Sequence, residues 1–195
     1  MQYAGIKYIA PLRNEPSRIY TISQDKNDVG LYGEFTPQTI YFNKDNNLKY
    51  LQPPQNDIFT FHKEDTTFIN HLNSWCNYLG IDNIVFNEND EYKEVLKIKI
   101  GESNFVDVGF GVSQILPILT TGLLMKQNES LILQQPEIHL HPKMQMNFAD
   151  FILGLAYTQK NIIIETHSDH IINRLLRRLI AVSYTHLTLP TNYSV

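Results

Sequence analysis

The stretch that most constrains the fold is residues 131–142, LILQQPEIHLHP. Leu131, Ile132 and Leu133 form an apolar run too short for a helix, and Pro136 ends any strand by removing a backbone donor. The run reads as a buried strand that delivers polar side chains to the carboxyl edge of a sheet. Open parallel α/β sheets bind their ligands at that edge, so chemistry is expected at Gln134, Gln135, Glu137, His139 and His141.

Two other segments share this character. Gly109 and Gly111 bracket Phe110, and Ser113 is the expected N-cap of an apolar helix containing Ile115, Leu116, Leu119, Leu123 and Leu124. A glycine-rich loop entering a helix presents free N–H groups at the positive end of a dipole, which suits a phosphate. Pro117 is expected near the helix start, where a missing N–H does least harm. Past the central strand, Met144, Phe148, Phe151, Ile152 and Leu155 share one face of a helix over 143–157. NIII at 161–164 reads as a second buried strand, with Glu165, Thr166 and His167 at its carboxyl end. Ser168 is the expected cap of the next helix, which buries Ile171, Ile172, Leu175 and Leu179. Arg174, Arg177 and Arg178 lie late in that helix, favourable for its dipole, and read as a solvated face.

Taken in order, GFGVSQ at 109–114, LILQQPEIHLHP at 131–142 and ETHSDH at 165–170 resemble three parts of the ABC-class AAA-like ATPases. These parts are the signature loop, the Walker B and D-loop region, and the switch-histidine segment. The class includes the structural-maintenance-of-chromosomes, RecF and OLD groups. The resemblance implies an α/β fold: a partial P-loop-NTPase parallel sheet with flanking helices and a small antiparallel β insertion. It implies ATP and Mg2+, and a homodimer that sandwiches nucleotide. Gly109, Gly111, Ser113 and Gln114 would then reach the γ-phosphate held by the partner, and Gln134, His139 and His141 would lie at the nucleotide. Gln135, Glu137 and His167 would serve catalysis, His167 as the γ-phosphate switch. In relatives such dimers act in DNA repair, chromosome organisation or anti-phage defence, often with a nuclease as fused domain or partner. The phrase YIAPLRNEPSRIY at 8–20 resembles a recurring phrase of the same class, and its Arg13 suits an anion or a structural ion pair.

Two departures shape the expectation. Gln134-Gln135 stands where the family carries Asp-Glu, and an amide orients a water but has no negative charge and negligible basicity. A regulatory module that binds ATP with little or no hydrolysis is therefore an alternative. No G-x-x-x-x-G-K-[ST] motif occurs in the sequence. Residues 1–181 accordingly read as the carboxyl-terminal part of a longer ATPase domain, and 182–195 as a non-native tail. A further alternative is a metal-dependent hydrolase, with His139, His141, His167, Asp169 and His170 as ligands.

Composition bounds the rest. Hydrophobic residues make up 43% of the 195, the net charge is -4, and Cys76 is the single cysteine. One core, no intramolecular disulfide, and a reducing cytoplasmic setting follow as expectations, with neither a secretion signal nor a membrane span. Residues 1–13 read as a short buried strand and a loop, and 25–57 as an irregular excursion with at most short strands or one helix turn. Phe68, Leu72, Trp75, Cys76 and Leu79 share a helical face over 66–79, with Asp65 as cap and Gly80 as terminator. NIVF at 83–86 and EVLKIKI at 94–100 read as an antiparallel pair joined by an acidic turn around Asn87 to Asp90.

Overall fold

A computed structural model describes residues 5–22, 28–55, 63–86 and 95–187, apart from the side chains of 49–51, 63–65 and 181–187. The acidic turn expected at 87–90 and the end of the tail, 188–195, lie outside the described residues. In chain order the elements are β1 (Ile6–Ile9), β2 (Tyr20–Thr21), α1 (Thr36–Asn43), β3 (Asn47–Leu51) and β4 (Lys63–Thr67). Then come α2 (Phe68–Leu79), β5 (Ile84–Phe86), β6 (Val95–Leu96), β7 (Ile98–Ile100), β8 (Ser103–Asn104) and a 3-10 turn at Phe105–Asp107. The second half supplies α3 (Phe110–Leu124), β9 (Ser130–Gln134), α4 (Pro142–Tyr157), β10 (Asn161–Glu165) and α5 (Asp169–Leu187).

The expected apolar runs pair into a parallel sheet of order β1, β9, β10, with Ile6 opposite Ser130 and Glu165 opposite Gln134. Parallel pairing aligns the carboxyl ends of all three strands. α3 and α4 pack on one face, where Ile9, Leu131 and Leu133 are buried. The other face is open: Ile6 is 71% exposed and Ile163 59%. The strands expected to be buried are thus covered on one side only, whereas parallel sheets normally carry helices on both.

α3 is the central helix, packed against α1, α2 and β1. Its Ile115, Leu116, Ile118 and Leu119 are fully buried, each contributing about 1.5–3 kcal/mol of transfer free energy. Pro117 lies inside this helix rather than at its start, because the helix begins at Phe110. It is accommodated against Gly33, where an added Cβ would come within 2.5 Å of its ring.

The mixed α/β fold is as expected, with a parallel sheet, flanking helices and small antiparallel sheets. β5 pairs β7 antiparallel, Ile84 opposite Ile100, and the alternation of Leu96, Ile98 and Ile100 puts all three in the core. α2 ends at Gly80 in the left-handed conformation, φ 83°, and buries the expected face, including Trp75 and Cys76. Burial in that core pushes the Cys76 thiol up to about 12. Asp65 is not its cap, because 63–67 pair with β3 as a strand.

Three further expectations need correction, the first at α5, where Ile172 and Leu179 are not buried but 43% and 55% exposed. The excursion at 25–57 contains an eight-residue helix, α1, whose buried Thr39 donates to the Asp28 carbonyl at 3.0 Å. Arg174 and Arg178 do not form a solvated face. Both grip Asp150 of α4, with Arg174 Nη2 at 2.8 Å and Arg178 Nε at 3.0 Å, and Tyr78 donates to the same carboxylate at 2.6 Å. The backbone of α5 continues to Leu187. Among the described residues no helix is long and apolar enough to cross a membrane.

Candidate functional site

β9 and β10 end side by side, and their last residues form the floor of the site. The Gln134 amide is held at both ends: its Oε1 accepts a hydrogen bond from the Tyr8 hydroxyl, and its Nε2 donates to Glu165 Oε2 at 3.0 Å. The chain then turns sharply. Gln135 and His139 take positive φ, 44° and 63°, unfavourable for residues with a Cβ. The Gln135 N–H donates to the Glu165 carbonyl at 2.8 Å, and Leu140 closes the turn on the Glu137 carbonyl at 3.0 Å. Positive φ at non-glycine residues recurs at functional sites, although here Asn128 and Gln159, away from this turn, show it too.

Glu137 reaches across to the segment after β10. Its Oε2 accepts from Thr166 Oγ1 at 2.8 Å and its Oε1 from the His167 backbone N–H at 2.7 Å. Both oxygens are committed, so Glu137 braces the His167 segment. Ser168 completes the brace, capping α5 through Ile171 N at 3.1 Å, as expected, and donating to Gln145 Oε1 at 2.5 Å. His167 itself is exposed.

The glycine-rich segment meets this edge through backbone and ring contacts. A Cβ on Gly111 would lie 2.7 Å from the His139 carbonyl oxygen, so only glycine fits. Phe110 packs edge-to-face on the His139 ring, centroids 4.7 Å apart. The N-cap is Gly109, not Ser113; Ser113 sits buried in the first turn and donates to the Phe110 carbonyl at 2.7 Å. Gln114 is also buried, and its amide is spent on Arg13, accepting from the Arg13 N–H and donating to its carbonyl, both at 3.3 Å. The exposed part of the loop is therefore Gly109 and Phe110.

Arg13 joins the two halves of the site. Its Nη2 donates to the Gln134 carbonyl at 3.4 Å, while Nε and Nη1 are buried without a partner. Desolvation lowers the guanidinium to about 10, opposed by the charge of Glu137. His141 lies apart in role: its Nδ1 accepts from Lys143 N at 3.3 Å and caps α4. Among the described residues no group of three or more His, Cys, Asp or Glu side chains is placed to hold a metal ion, so the metal-hydrolase alternative gains no support. Glu165 is the site residue that sequence reasoning passed over. Its signal was its position, at the end of a strand register-matched to Gln134.

The model of the family described as AAA ATPase domain matches residues 43–172, a span that includes all three segments of the site. No curated protein matches the chain. AAA ATPase domains bind and hydrolyse ATP, usually with Mg2+. Glu137 accepts a hydrogen bond at each carboxylate oxygen, Glu165 at one of its two. A parallel sheet whose carboxyl edge gathers the three segments, together with this match, shows that the chain belongs to the AAA ATPase domain family.

Proposed function

We propose that the chain supplies the signature, Walker B-like and switch parts of an ATP site that works as a nucleotide-sandwich homodimer, the phosphate-holding loop lying outside these 195 residues. The observation that carries the reading is the joining of 109–114, 134–141 and 165–167 at one edge. Gly111 seats on the His139 carbonyl, Glu137 holds Thr166 and His167, and Arg13 links Gln114 to Gln134.

In this reading Gly109 and Gly111 present backbone N–H groups to the partner's ATP, Ser113 and Gln114 shape that loop from behind, and His167 contacts the γ-phosphate. Gln134, Gln135, His139 and His141 set the nucleotide-facing turn. ATP drives dimer closure by binding the closed state more tightly than the open one. On the resemblance, the reading extends to a cytoplasmic protein of DNA repair or anti-phage defence with a nuclease partner.

The test is the oligomeric state of the full-length protein with and without a non-hydrolysable ATP analogue, by sedimentation. ATP-dependent dimers that Gly111→Val abolishes while monomer ATP binding persists are the expected result. Dimers indifferent to nucleotide would contradict the reading.

A further inference from the structure

The site contains a carboxylate that the sandwich reading leaves without a task. Gln134 and Gln135 carry no charge, and each oxygen of Glu137 already accepts a hydrogen bond that braces Thr166 or His167. Asp150 is fully buried between Arg174 and Arg178. Glu165 ends β10 directly opposite Gln134 in the sheet register, on the exposed side of the edge. Its Oε2 accepts from Gln134 Nε2 at 3.0 Å, and that amide is oriented by the Tyr8 hydroxyl on its other end. A glutamine between a donor and a carboxylate has only one useful orientation, oxygen toward the phenol and nitrogen toward the acid. The Tyr8, Gln134, Glu165 chain therefore fixes one oxygen of Glu165 and leaves Oε1 without a hydrogen bond among the described residues, two residues before His167.

We propose that Glu165 is the general base of ATP hydrolysis, standing in for the acid absent at Gln135, and that Gln134 is its positioning residue. The proposal rests on the ATP-site reading of this edge. The oxygen of a water attacks the γ-phosphorus, and the bond from that phosphorus to the β,γ-bridging oxygen breaks with its electron pair leaving on ADP. The water's proton passes to Glu165 Oε1, giving inorganic phosphate and ADP. A positioned carboxylate in this role is worth roughly 100-fold or more in rate. An exposed carboxylate anchored by one oxygen meets the geometric need, since the other oxygen stays available to the water.

The experiment measures ATP affinity and steady-state turnover separately in the full-length protein and its variants. Glu165→Gln keeps an acceptor for the Gln134 amide and removes only the base, so the fold is preserved. It should lower kcat by about 100-fold or more while ATP affinity stays within about threefold. Glu165→Asp should retain an intermediate rate. Gln134→Leu, which frees the Glu165 side chain, should lower kcat about tenfold with KM unchanged, a split that general destabilisation would not give. Turnover in Glu165→Gln within about threefold of the parent would overturn the proposal. So would a parent that binds ATP but never hydrolyses it, which leaves the ATP-site reading standing. A parent unable to bind ATP would bring down that reading and Glu165 with it.

Discussion

Asp150 and Arg13 are both charged and both almost wholly out of solvent, 0% and 4% exposed, yet their surroundings differ in kind. Asp150 receives hydrogen bonds from Arg174, Arg178 and Tyr78, so the charge that α4 buries is answered by α5 and α2. Desolvation alone would raise its pKa, but those bonds outweigh it and hold the carboxyl below the usual range. The Arg13 guanidinium has one long hydrogen bond and two buried nitrogens with none. The Asp150 charge is thus answered within the chain, while α5 leaves Ile172, Leu176, Leu179 and Ile180 exposed. The carboxyl edge carries the poorly satisfied Arg13 guanidinium and two left-handed non-glycine residues. Buried atoms without a partner also occur at Gln38 Oε1 and Thr120 Oγ1, and positive φ at Asn128 and Gln159, so what sets the carboxyl edge apart is a poorly satisfied cation beside strained backbone.

The sharpest way to break this comparison is at Asp150. Asp150→Ala leaves two arginines facing a void and should cost about 3–5 kcal/mol in chemical denaturation. A loss under about 1 kcal/mol would mean that the α4–α5 clamp is not closed as described. The same residue sets a pH dependence. Because its folded pKa is lowered, its stabilisation is fully present above the unfolded value near 4 and disappears as pH falls through the folded value. Asp150→Asn should lack that part of the acid limb in a pH titration of stability.

Arg13 should behave in the opposite sense. Arg13→Met replaces a poorly satisfied cation with an apolar side chain, so stability should be unchanged or rise by about 1–2 kcal/mol while ATP turnover falls. A destabilisation as large as that of Asp150→Ala would show that Arg13 is structurally satisfied. Gly111→Ala forces a Cβ toward the His139 carbonyl and should cost about 1–2 kcal/mol, with a greater proportional loss of ATP-driven dimerisation. The smallest effect is expected at Gln135, where Gln135→Gly relieves the positive φ and should stabilise by about 0.5 kcal/mol in thermal melts.

How much of this was legible depended on the range of the signal. Strands β9 and β10 and helix α2 announce themselves by short apolar runs or a repeated apolar face, and Gly80 marks where α2 stops. The three site segments were legible as strings, and their adjacency followed from the aligned ends of a parallel sheet. Helix α1 was not legible, because its buried face includes Thr36, Gln38 and Thr39, whose hydroxyl and amide donors reach carbonyls in place of apolar packing. The arginines of α5 read as solvated because their partner lies 24 and 28 residues away on another helix. Ser113 and Gln114 read as phosphate ligands, yet the fold turns both inward. Glu165 was placed at a strand end but given no role for a similar reason, since its meaning comes from Gln134, 31 residues earlier.

The central claim is that the three segments form one nucleotide-responsive edge on a rigid support. Amide hydrogen exchange of the full-length protein, with and without a non-hydrolysable ATP analogue and Mg2+, addresses it directly. The account predicts slowed exchange at 109–114, 134–141 and 165–168, including the His167 amide that Glu137 holds, with the α4–α5 interface unchanged. Exchange at all three segments that ignores the nucleotide while binding is saturated would contradict it.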